Sequence, residues 1–118
     1  MTLPLSPPIL RAAYEYLRTT PPFNRWSLPS GEEVEFAVIK TRDRYADHCL
    51  YTETGKHVIR VSSGVIGYSA SLIAAMAHEM VHAKQAVAKT ETRAQHNAEF
   101  HRLAKLVCKY HGFDPKTF

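Results

Sequence analysis

One stretch limits what this chain can fold into. Leu72-Ile73-Ala74-Ala75-Met76-Ala77 carries no polar residue and runs directly into His78-Glu79-Met80-Val81-His82. A small domain must cover such a run, and the apolar stretch with its alanines predicts a central buried helix. On a helix, residues four apart share a face. His78 and His82 then present two imidazoles side by side, able to reach one metal ion at Zn–N distances of about 2.0–2.1 Å. Glu79 projects beside them, where its carboxylate can take a proton from a metal-activated water. This spacing points to the chemistry of a zinc hydrolase, most often a metalloprotease. The competing reading is a buried helix with two hydrogen-bonded histidines. At this chain's own His and Glu frequencies, about 0.03 matches arise by chance.

The rest of the composition sets the frame. The 118 residues predict a single domain, 1–118, large enough to bury a core without cross-links. No apolar run approaches the roughly 18 residues of a membrane span, so membrane partners are not expected. Met1-Thr2-Leu3-Pro4-Leu5-Ser6-Pro7-Pro8 has neither the basic nor the apolar part of a secretory signal. Cys49 and Cys108 are far apart and form no Cys-x-x-Cys, which predicts two free buried thiols in a reducing cytoplasm and no zinc ribbon. The net charge of +4 permits contact with nucleic acid without requiring it.

An α+β order is expected along the chain. Residues 7–19 predict a first helix capped by Ser6, with Pro7 at its first position and an apolar stripe of Ile9, Ala13, Tyr16 and Leu17. Residues 21–33 predict a loop anchored by Phe23, Trp26 and Leu28. Val34–Thr41, Tyr45–Thr52 and Lys56–Ser62 predict three strands of a small antiparallel sheet. An exit loop at Ser63-Gly64 and Gly67-Tyr68 leads to the second helix, about Ser71–Ala88, capped by Ser69 or Ser71. A third helix is expected from a capping box at Thr92-x-x-Gln95, ending at Gly112.

A catalytic zinc needs a third protein ligand and an open fourth position. Downstream candidates are Glu91, His96, Glu99, His101 and His111. His96 ranks first, because the expected third helix places it on the face continued by Phe100, Leu103 and Val107. Glu99, one turn later, is the rival and would make a His2Glu site. Tyr45, Tyr68, Tyr110 and His101 are candidate donors to the oxyanion of the reaction.

His78-Glu79-Met80-Val81-His82-Ala83, followed by His96-Asn97-Ala98-Glu99-Phe100, resembles the SprT-like (Spartan-type) family of zinc metalloproteases. That family shows H-E-[LM]-[IV]-H-A and then H-G-x-x-F, whose histidine is the third ligand. Phe23…Leu28-Pro29 and Val58-Ile59-Arg60-Val61-Ser62 fit the same pattern, over roughly residues 10–113. Asn97 stands where the family has glycine, and asparagine tolerates glycine-like backbone better than most residues. The resemblance implies a minimal zincin-like domain, with Zn2+ held by His78, His82 and His96 and with Glu79 as general base.

The function expected on this footing is a zinc-dependent endopeptidase acting on a protein or peptide substrate. The resemblance adds DNA-bound proteins, and hence DNA-protein crosslink repair, to the expected substrates. Arg102, Lys105 and Lys109 on the third helix, with Arg42, Arg44 and Arg60 near the sheet, offer charge for phosphate contact. Val58–Ser62 is either an edge strand that pairs with an extended substrate or an interior strand. Two other readings stand beside this one: a non-catalytic binding module that keeps the metal for stability, and a zinc amidase acting on a small substrate. Glu79 argues against the first, since a structural site has no use for a general base.

Overall fold

Ser6 and the residues after it set the first element. In the computed structural model, which describes residues 4–66 and 69–118 and of Ser69 the backbone alone, helix α1 spans Pro7–Arg18. The Ser6 hydroxyl accepts a hydrogen bond from the Ile9 amide, and Pro7 at the start has no amide to leave unpaired. Leu10, Ala13, Tyr14 and Leu17 form its buried stripe. Tyr16 from the expected stripe is instead exposed. Phe23, Trp26 and Leu28 are buried anchors of the following loop, with Phe23 edge-on to Trp26 at 5.1 Å.

Strands β1 (Val34–Ile39), β2 (Ala46–Tyr51) and β3 (Lys56–Ser62) follow in sequence, but the order in the sheet is β1-β3-β2. β2 and β3 form an antiparallel hairpin, and β3 then inserts beside β1 in parallel. The sheet is therefore mixed, where an all-antiparallel one is expected from sequence. The reason is burial: β3 carries Ile59 and Val61 at 0 % exposure with His57 and Val58 also buried, so it takes the centre. Val58–Ser62 is accordingly an interior strand, paired on both sides, and the sheet edges are β1 and β2. Register brings Phe36, Ile59 and His48 into one row of the inner face, with Val34, His57 and Leu50 in the next.

Helix α2 (Ser69–Ala88) crosses this inner face and packs against β2, β3, α1 and the last helix, α3 (Ala98–His111). Leu72, Met76, Ala77, Met80, Val81 and Ala83 are all at 3 % exposure or below, as a central helix requires. Ser71 lies inside the helix and so is not its cap. Gly67 and Tyr68, assigned to the exit loop from sequence, lie outside the described residues. Helix α3 ends at Gly112, whose left-handed φ of 78° and amide bond to the Cys108 carbonyl close the helix as expected. Both cysteines are free, but only Cys108 is buried, and Cys49 on the edge strand β2 is exposed. No helix among the described residues is long and apolar enough to cross a membrane.

Candidate metal centre

The helical spacing within α2 sets the first two imidazoles. The ring centres of His78 and His82 lie 5.1 Å apart, one turn from each other on the same face. The His96 ring joins them from across the helix pair, 5.0 Å from His78 and 5.2 Å from His82. One ring nitrogen from each lies within 4.8 Å of the other two, and Nε2 of His78 is 3.2 Å from Nε2 of His96. Among the described residues this is the only such group of metal-ligating side chains. Phe100 forms the apolar floor, with its ring 4.4–5.0 Å from all three imidazoles.

His96 reaches this position from a loop and not from a helix. Helix α3 begins at Ala98, later than the expected Thr92, because Asn97 is the N-cap: its side-chain oxygen accepts from the Phe100 amide at 2.9 Å. Thr92 bonds within the loop instead, to the Ala94 carbonyl. Asn97 has φ −75°, so its role is capping and not a glycine-like conformation. The loop is tied down by Gln85, fully buried in α2, whose amide donates to Asn97 Oδ1 and Glu99 Oε1 at 2.9 Å each. Asn97 Nδ2 donates in turn to the Thr90 carbonyl and to Thr92 Oγ1.

The other candidates fall outside the cluster. Glu99 is engaged by Gln85 and lies 3.8 Å from Arg102. His111 bonds Thr20 Oγ1 and stacks on Phe113, at the opposite end of α3. Glu91 lines a cavity near the site without joining the three histidines. The exposed ring of His101 is 6.4 Å from that of His96. Of the oxyanion candidates, Tyr45 lines a cavity with His78 and Glu79, Tyr110 lies beside Arg25, and Tyr68 is outside the described residues.

Burial governs the electrostatics. It holds His78 below the usual imidazole range and, together with the neighbouring His78 and His96, pushes His82 down to about 4. At neutral pH these rings are uncharged and keep a lone pair for a metal. Burial, helped by the charge of Asp47, pushes the Glu79 carboxyl up to about 8, and the residue is 6 % exposed. A cation at the three nitrogens would favour the carboxylate and lower that value. The donor set fits zinc: imidazole nitrogens suit it, and tetrahedral geometry sets ligand nitrogens about 3.3 Å apart, close to the 3.2 Å of the His78–His96 pair, with all three within 4.8 Å of one another.

Two cavities, of about 600 and about 860 Å³, meet here, and His78, Glu79 and His96 line both. The larger is walled by β2 from Ala46 to Leu50. Within that wall His48 Nε2 lies 2.9 Å from His57 Nδ1, a diagonal cross-strand pair, and burial together with His57 and His82 pushes His48 down to about 3. Sequence inspection misses this pair, since it exists only once the β2–β3 register is known.

Residues 11–117 match the SprT-like family, a span that takes in every residue of the cluster. The chain belongs to the SprT-like family. No curated protein and no solved structure gave a match. For this SprT-like chain, family membership is consistent with metallopeptidase activity and a metal at the histidine cluster. The basic residues are unevenly free. Arg102, Lys105 and Lys109 are exposed on α3, Arg102 with a long ion pair to Glu99, whereas Arg44 and Arg60 are both held by Asp47. Burial raises the Asp47 carboxyl, but the two guanidiniums outweigh it and leave it below its usual value.

Proposed function

We propose that this SprT-like protein is a zinc-dependent endopeptidase, with His78, His82 and His96 as ligands and Glu79 as general base. The observation that carries the reading is the convergence of three ring nitrogens beside a buried glutamate at the junction of two open cavities. Bound there, zinc supplies Lewis-acid polarisation of the scissile carbonyl and of the attacking water. Glu79 accepts the proton of that water and returns it to the leaving amine. Its burial excludes competing solvent, and the neutral state of His78 and His82 keeps their lone pairs available. A structural metal site would have no use for that carboxylate.

An extended peptide fits along β2, the edge strand that walls the larger cavity, by adding main-chain hydrogen bonds to its free side. Tyr45, in the wall of the smaller cavity, is the best-placed candidate to donate to the oxyanion. The open cavities favour unfolded or loosely folded protein as substrate. DNA-bound protein belongs in that class, since the exposed Arg102, Lys105 and Lys109 offer phosphate contacts. The decisive experiment is cleavage of an unfolded protein by the zinc-loaded enzyme and by Glu79→Gln. The reading expects the variant to keep zinc and lose activity by about 100-fold or more. Equal cleavage by both would refute it.

A further inference from the structure

His78 has two ring nitrogens, and the fold gives each a different neighbour. Nε2 points into the histidine cluster, 3.2 Å from His96. Nδ1 lies 2.7 Å from the main-chain oxygen of Phe118. A main-chain oxygen accepts and does not donate, so Nδ1 must carry the proton. In a neutral imidazole the lone pair is then on Nε2, the atom a metal in the cluster would use.

Phe118 is held at this point by an ordered path. The amides of Thr117 and Phe118 both donate to the Asp114 carbonyl at 3.1 Å, and the Lys116 amide donates to the Asp114 carboxylate. The Phe118 ring stacks on Phe113 at 5.6 Å, Phe113 stacks on His111 at 5.8 Å, and His111 bonds Thr20 just past the end of α1. The same ring lies 5.5 Å from the His78 ring, and Thr117 and Phe118 both line the smaller cavity.

We propose that the segment Asp114–Phe118 is a positioning element of the metal centre: the Phe118 main-chain oxygen locks His78 in its Nδ1–H tautomer and orients Nε2 toward the metal. The proposal rests on the metal-centre reading above, and its test separates the two. In the metal-free chain of residues 1–118, two-bond proton–nitrogen correlation of the histidine rings reads the tautomer directly. His78 is expected as the Nδ1–H form. A chain ending at Asp114 removes the oxygen, whereas Phe118→Ala removes the ring and keeps the oxygen.

The truncated chain is expected to lose the Nδ1–H signature and to bind zinc about 10–100-fold more weakly in chelator competition, the usual cost of losing an outer-shell partner. Phe118→Ala is expected to keep the signature and most of the affinity. An Nε2–H ring in the unaltered chain overturns the proposal without any variant. It also fails if truncation changes neither tautomer nor affinity, or if Phe118→Ala loses as much as the truncation, which would assign the effect to ring packing. Should the protein bind no zinc at all, the function proposed above fails while the tautomer measurement still decides this one.

Discussion

Replacing Gln85 by leucine tests how the third histidine is held. The side chain is fully buried, and its amide donates to Asn97 Oδ1 and to the Glu99 carboxylate, each at 2.9 Å. A neutral hydrogen bond contributes about 1 kcal/mol and one to a charged group about 1.5–3. Two features reduce the loss. The Glu99 side chain is 32 % exposed, so water replaces part of its bond, and Asn97 Oδ1 keeps its bond from the Phe100 amide. Leucine also removes Gln85 Oε1, which is buried without a partner and costs about 1–3 kcal/mol. The net effect on the metal-free fold is therefore small, about 1 kcal/mol. Zinc affinity should respond more. The loop carrying His96 loses its anchor to α2, and such outer-shell losses weaken metal binding about 10–100-fold. Thermal unfolding in a chelator and zinc competition with a chromogenic chelator measure the two quantities separately. A variant with unchanged zinc affinity would refute the anchoring role. A loss of several kcal/mol in the metal-free protein would instead make Gln85 a core residue.

The cap of α3 gives a second prediction: Asn97→Ala should cost about 1–2 kcal/mol of stability in urea unfolding, and Asn97→Gly, which also loses the bonds to Gln85, Thr90 and Thr92, should cost more than the few tenths of a simple cap replacement. The pH dependence of the metal-free protein gives a third. His48 and His82 titrate near 3 and 4 in the folded state, below the imidazole value of about 6.5 expected when unfolded. The unfolded chain then binds more protons, so their stabilisation is complete above about pH 6.5 and is lost as pH falls through about 4 and about 3. Glu79, pushed up to about 8 in the metal-free protein, acts in the opposite sense over this range, so the comparison is with His48→Phe: its urea midpoint in chelator should fall less, or rise more, than the parent's between pH 7 and 5. Parallel midpoints for the two proteins contradict the assignment.

The parts of this fold visible in sequence are those fixed by local spacing. His78 and His82 share a face because a helix puts residues four apart together, and the apolar run before them could only be a buried helix. Gly112 as the end of α3 was equally local. The start of α3 was not, because Thr92 and Asn97 both offer cap chemistry. The choice went to Asn97 through its tie to buried Gln85, a contact between helices that no sequence window contains. The same limit hid the sheet order. A short link between β1 and β2 reads as a hairpin, and only the burial demanded by Ile59 and Val61 drives β3 between them. A polar Gln85 one turn beyond His82, in a helix expected to be buried, was the one available sign of the anchor. The Phe118 oxygen left no sign, since any residue supplies a main-chain acceptor.

The central claim is that three imidazoles from two elements form one metal centre, and metal analysis of the purified protein tests it most directly. The account predicts one zinc per chain, lost on His78→Ala, His82→Ala or His96→Ala and retained on Glu99→Ala. A protein that takes up no zinc on titration, or that keeps full stoichiometry after His96→Ala, would contradict it.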